Sequence, residues 1–126
     1  QYADKFRTKI VSLDDLIGSL SGGNQQKVVI SRALSTRPKV VILDEPTRGI
    51  DAAARSDVYG IIRQLKEEGV AVLMVSSDIE EVVELADRAI TIFQGRINGE
   101  FSHDEISQDA LTSASFGIGH ERVVAK

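Results

Sequence analysis

The chain has 126 residues, enough for one domain and not for two ordinary ones. Its 15 Lys and Arg stand against 19 Asp and Glu, a net charge of −4 that argues against a broad electrostatic grip on nucleic acid. The absence of cysteine excludes disulfides, zinc–thiolate sites and a thiol nucleophile. Hydrophobic residues at 42% and charged residues at 27% match a soluble globular domain. The longest aliphatic or Met run, Val70–Val75, is far shorter than the roughly 20 residues of a membrane helix. No cleavable signal pattern opens the chain, and a start at Gln1 rather than Met leads us to expect a piece of something longer.

In chain order, residues 1–18 read as helical or irregular, without a clear strand. A helix marked by Val28, Val29, Ala33 and Leu34 follows Gly22-Gly23. Val40–Leu43 is a short β-branched and aliphatic run, expected to be a strand buried on both faces. Pro38 and Pro46 mark its ends, because proline cannot donate inside a central ladder. Val58, Ile61, Ile62 and Leu65 form one apolar helical stripe, predicting a helix from about Ala53 to Glu68 that Gly69 stops. Val70–Val75 is the next strand, and Ile79, Val82, Val83 and Ala86 mark a shorter helix. Ala89–Phe93 is a third strand, meeting a turn at Gln94-Gly95-Arg96 and a less regular fourth strand, Ile97–Phe101. From Gly117 onward no pattern persists, and a loose tail is expected. There is no internal repeat, and strands alternate with helices, which predicts an α/β fold with a mostly parallel sheet flanked by helices.

Three segments carry chemistry. In Leu20-Ser21-Gly22-Gly23-Asn24-Gln25-Gln26-Lys27, a serine and two glycines precede a helix. Free amides at a helix N-terminus favour an anion such as phosphate, and glycine lets backbone approach it closely. The alternative is an ordinary N-cap serine and a turn. Gly18 and Gly23 have P-loop spacing, but Asn24 and Gln25 replace the Lys and Ser or Thr that a P-loop needs. The strand Val40–Leu43 ends in Asp44-Glu45, and ligands of α/β sheets gather beyond strand carboxyl ends. There Asp44 can hold Mg²⁺ and Glu45 can polarise a water; the alternative is a pair of solvated acids. Ser76-Ser77-Asp78 ends the next strand and either contacts phosphate or caps the following helix through Ser77 or Asp78. His103 and His120 lie in polar surroundings and read as surface residues.

The order and spacing of these segments resemble the ATP-binding-cassette ATPases. Leu20–Gln26 is similar to the family's signature motif, and Val40–Thr47 to its Walker B strand with catalytic Glu. Gly49-Ile50-Asp51 lies where the family has its D-loop, and Ser76-Ser77-Asp78 where it has its switch loop. The strand pair Ala89–Phe93 and Arg96–Phe101 resembles the family's C-terminal strands. Asn24-Gln25-Gln26-Lys27, Thr47-Arg48-Gly49-Ile50-Asp51 and Ser-Ser-Asp at the switch resemble a subgroup, the second cassette of ATP-binding proteins in bacterial monosaccharide importers of the ribose, galactose, arabinose and autoinducer-2 type. The resemblance covers about Leu13 to Gly117. It implies the C-terminal part of a P-loop NTPase domain lacking its P-loop half: residues 1–18 ending the helical subdomain, 19–117 in the ATPase core, and 118–126 as a flexible tail.

The resemblance also implies ATP and Mg²⁺ as cofactors and a head-to-tail pairing with a second cassette, upstream in the same chain or in another copy. Ser21, Gly22, Gly23 and Gln25 then close over the γ-phosphate held by that partner, with Asp51 supporting the interface. Asp44 orders Mg²⁺ through water, Glu45 polarises the attacking water, and Ser77, or Ser76, takes the switch position. The family usually has a cationic-capable His there; serine offers a hydroxyl bond without charge. The site using Glu45 and Ser77 is therefore expected to hydrolyse poorly. Implied partners are membrane permease subunits and, indirectly, a periplasmic sugar-binding protein, at the cytoplasmic face of the bacterial inner membrane. The 126 residues alone are expected to bind ATP poorly and to associate through uncovered apolar surface. A non-transport ATPase of the same superfamily, and a non-catalytic half-cassette for dimerisation or regulation, are the alternatives.

Overall fold

The computed structural model describes residues 25, 26, 28–30, 32 and 36–118. Ser21, Gly22, Gly23, the helical end expected in residues 1–18, His120 and residues 119–126 of the expected tail lie outside the described residues. The chain divides into two compact units, residues 1–75 and 76–126.

In the first unit the described residues between 25 and 32 are helical, in line with the helix expected after Gly23. Among the described residues of this helix Ile30 is buried, whereas Val29 is 56% exposed, a face different from the one the Val28-Val29 pair suggests. Strand β1 (Val40–Asp44) leads through two turns into helix α1 (Ala52–Glu67), and α1 leads to β2 (Ala71–Val75). β1 and β2 pair in parallel, with Val40 opposite Ala71 and Asp44 opposite Val75. This is the β–helix–β crossover that alternating strands and helices predict. Helix α1 buries Val58, Ile61, Ile62 and Leu65, the stripe read from the sequence, and packs against β2. It ends where Gly69 N–H donates to Lys66 O and Val70 N–H to Leu65 O, a paired closure of the last carbonyls.

The strand Val40–Leu43 is not buried on both faces. Val41 and Leu43 are buried, but Val40 and Ile42 are 58% and 68% exposed. In β2, Leu73 and Val75 are likewise exposed. The register puts these four residues on one face, opposite the inner face of Val41, Leu43, Val72 and Met74. Within the described residues α1 covers only the inner face. Burying the outer residues would contribute on the order of 1.5–3 kcal/mol each.

The second unit contains α2 (Ile79–Leu85), β3 (Arg88–Phe93), β4 (Arg96–Ser102), a 3₁₀ turn His103–Glu105, and α3 (Gln108–Ser115). β3 and β4 are antiparallel, so the described strands form one parallel pair and one hairpin rather than a single sheet. Gln94 (φ 48°) and Gly95 (φ 75°) close the hairpin in two residues, as a type I′ turn demands. The pairing shifts between Thr91 and Ile92, an irregularity that the Asn98-Gly99 stretch of β4 accompanies. Gly99 is required by close approach: a Cβ there would stand 2.7 Å from Phe101 Cε2 and 2.8 Å from Thr91 Oγ1.

Ala89, Phe101, Leu111 and Ala114 form the core of this unit, with Ile79, Val82, Ile106 and Ala110 packed against it. Helix α3 is missing from the sequence reading. Ser107 caps it by accepting from Ala110 N–H at 3.2 Å, and only Leu111 and Ala114 mark its buried stripe. Asn98 Nδ2 donates to Ala114 O at 2.7 Å and ties β4 to α3. In α2 the buried residues are Glu81 and Leu85, while Val83 is 39% exposed and Ala86 is the C-cap. The apolar stripe expected through Val83 is thus rotated toward Leu85, and an acid, Glu81, occupies the buried face.

Candidate functional site

The first candidate group lies where β1 ends. Asp44 is its last residue and is exposed, on the same alternating face as Val40 and Ile42. Glu45 is half-buried and continues the parallel ladder by one bond: its N–H donates to Val75 O at 2.8 Å. The carboxyl ends of β1 and β2 are therefore level, and both acids stand at the edge where α/β sheets meet ligands. Glu45 also adopts φ 48°, in the left-handed region that residues with a Cβ rarely enter.

Beyond Glu45 the chain folds tightly. Arg48 N–H donates to Glu45 O at 3.2 Å, closing a turn with Pro46 and Thr47 at its centre. Pro46 is fully buried and Thr47 is 3% exposed. Ile50 N–H then donates to Thr47 O at 3.4 Å, and Asp51 starts α1. Asp51 Oδ1 accepts from Ala54 N–H at 2.9 Å, which satisfies one of the helix's unpaired amides. The proposed D-loop acid thus has a structural duty as an N-cap, and its side chain remains exposed.

The second group opens the other unit. Ser76 Oγ accepts from Asp78 N–H at 3.0 Å and donates to Asp78 O at 3.4 Å, so this hydroxyl is spent in a local turn. Asp78 is the N-cap of α2: its Oδ1 accepts from Glu80 N–H at 3.0 Å and Glu81 N–H at 3.4 Å. Of the alternatives left by the sequence, Asp78 caps. Between these two engaged side chains, Ser77 is exposed. Gln25, the described member of the Ser21–Gln25 group, is half-buried and helical.

His103 is exposed in the 3₁₀ turn, as expected. Among the described residues no cluster of three or more His, Asp and Glu could enclose a metal ion. A single exposed carboxylate such as Asp44 still suits Mg²⁺, which keeps several waters and is completed by substrate phosphates rather than by a protein cage. No helix among the described residues is long and apolar enough to cross a membrane.

Residues 3–48 match the family model described as ABC transporter. The chain is 46% identical over 116 residues to the xylose import ATP-binding protein XylG of Moorella thermoacetica, covering 92% of this chain and 23% of that protein. It is similar to the ADP conformation of MJ1267, an ATP-binding cassette of an ABC transporter, with TM-score 0.68 and 30% identity over 79% of this chain and 41% of that one. It is also similar to the dimeric post-hydrolysis state of the cassette MJ0796 bound to ADP and Pi, with TM-score 0.70 and 27% identity over 79% of this chain and 43% of that one. The chain therefore spans under a quarter of its curated relative and under half of each solved cassette. With β1 ending in Asp44-Glu45-Pro46-Thr47, parallel to β2 with its Ser-Ser-Asp sequel, these likenesses identify the chain as a member of the ATP-binding-cassette ATPases and as part of one of their P-loop NTPase domains.

Proposed function

We propose that the chain is part of the ATP-binding subunit of a bacterial monosaccharide importer, coupling ATP binding and hydrolysis to uptake through membrane permease subunits. The observation that carries this reading is the level ending of the parallel pair, where Glu45 N–H donates to Val75 O and both strands deliver polar residues at one edge. The 46% identity to a xylose import ATP-binding protein supports the sugar branch.

In this reading Asp44 would hold Mg²⁺, which would neutralise charge on the phosphate oxygens. Glu45 accepts a hydrogen bond from the attacking water and polarises it toward the γ-phosphorus. Ser77 donates its hydroxyl to the γ-phosphate, without the positive charge that a His would add there. Ser21, Gly22, Gly23 and Gln25 serve the other site of the dimer, closing over the γ-phosphate that a second cassette holds. Asp51, anchored by its cap, supports the contact between cassettes. The subunit works at the cytoplasmic face of the inner membrane, peripheral to its permeases and fed indirectly by a periplasmic sugar-binding protein.

The asymmetry between the two sites is the test. In the complete transporter, Gly22→Asp abolishes sugar uptake, whereas Glu45→Gln lowers it less, because Glu45 shares its site with Ser77. Uptake and ATP turnover in vesicles measure both, and equal losses in the two variants would contradict the reading.

A further inference from the structure

Among the described residues three that carry a Cβ have positive φ: Arg37 at 50°, Glu45 at 48° and Gln94 at 48°. Gln94 has a local cause, the two-residue hairpin turn. Glu45 has no such cause. The turn closed by Arg48 N–H and Glu45 O is defined by the dihedrals of Pro46 and Thr47, and Glu45 precedes that pair. Its place before Pro46 sharpens the conflict, since the ring crowds the preceding residue and drives it toward extended backbone. The conformation persists because the surroundings hold it. Glu45 N–H is bound to Val75 O at 2.8 Å and Glu45 O to Arg48 N–H at 3.2 Å. Pro46 is fully buried and Thr47 nearly so, which leaves the following peptide no room to swing.

We infer that the left-handed backbone at Glu45 is a positioning device with Pro46 as its positioning residue: the buried ring and the two main-chain bonds hold a strained conformation that fixes how the Glu45 side chain leaves β1. Strain at such a site persists only where the fold over-determines it. The inference rests on the reading of Glu45 as the water-polarising group. Arg37 supplies an internal control, because it also precedes a proline with positive φ and has no part in the proposed site.

The test uses the complete ATP-binding subunit. Glycine is ordinarily less stable than alanine at a given position, but it relieves a left-handed backbone. Glu45→Gly is expected to favour the folded state over Glu45→Ala by roughly two- to tenfold in the unfolding equilibrium, read by urea denaturation. Arg37→Gly over Arg37→Ala is expected to show the same sign with ATP turnover at the parent level. Pro46→Ala is expected to lower turnover about as far as Glu45→Gln while leaving KM for ATP unchanged. Glu45→Ala proving the more stable variant would overturn the inference, and so would parent-level turnover in Pro46→Ala beside a normal Glu45→Gln loss. Should Pro46→Ala unfold the subunit, the Gly–Ala comparison at Glu45 decides. Unchanged turnover in Glu45→Gln removes the catalytic reading, and the inference with it, and is distinguished from a failure of strain by that same Gly–Ala comparison.

Discussion

The parallel pair of the first unit and the hairpin of the second are both two-stranded, yet they end their strands differently. β1 and β2 run the same way, so a helix must connect them, and their carboxyl ends remain open side by side. The chain there is spent on Asp44, Glu45 and a run of tight turns up to Asp51. β3 and β4 are joined by Gln94-Gly95 alone, so their adjoining ends are consumed by the turn and carry no candidate chemistry. Positive φ shows the same contrast. At Gln94 it is what the hairpin needs, whereas at Glu45 no hairpin asks for it. Chemistry gathers where topology leaves strand ends unoccupied, and the backbone strain at Glu45 lies there too.

The contrast predicts effects that can be read in each unit by itself. Phe101 is 1% exposed at the centre of the second unit. Phe101→Ala is expected to cost about 3–5 kcal/mol. Amide exchange should accelerate across β3, β4 and α3. Unchanged exchange there would show that Phe101 does not hold its own unit together. Asp51→Ala removes the cap bond to Ala54 and is expected to cost about 1 kcal/mol, seen as faster exchange in the first turn of α1. Because Asp51 also belongs to the proposed cassette interface, a loss of turnover beyond that explained by stability would give it a second role. Gln94→Asn is the smallest change. The type I′ turn favours Asn-Gly, and a gain of about 0.5 kcal/mol in urea denaturation is expected with turnover unaltered. A destabilisation would show that the hairpin turn is not the source of the positive φ at Gln94.

Legibility in the sequence followed the strength of periodicity. Val58, Ile61, Ile62 and Leu65 repeat over two turns, and they are the residues that α1 buries. The shorter α2 gave too few positions to fix its face, and Leu85 and Glu81 take the burial expected nearer Val83. Helix α3 spans eight residues with only Leu111 and Ala114 buried, so its stripe is hardly visible against a polar background. Its start was nonetheless written in Ser107, a good N-cap with an alanine three residues on. At the candidate site, Asp44 and Glu45 stand out in the sequence because they end an apolar run with two acids, and the structure places both at the carboxyl end of β1. The strain at Glu45 was not legible, since no residue type announces a positive φ when it is not Gly, Asn or Asp. The structure also divided the Ser76-Ser77-Asp78 alternatives, with Ser76 closing a turn and Asp78 capping a helix.

By itself the sequence determined which segments form β1, α1 and β2, which stripe of α1 is buried, and which polar residues follow each strand. These are consequences of side-chain pattern within short windows, where burial and backbone propensity act locally. Tertiary structure alone decided that the outer face of Val40, Ile42, Leu73 and Val75 is uncovered among the described residues, and that Glu45 is bound to Val75 in a left-handed conformation. Each depends on a partner strand or a packed neighbour distant in the chain. A main-chain hydrogen bond between residues 30 positions apart leaves no mark on either side chain, which is why the strain at Glu45 is visible only in the folded molecule.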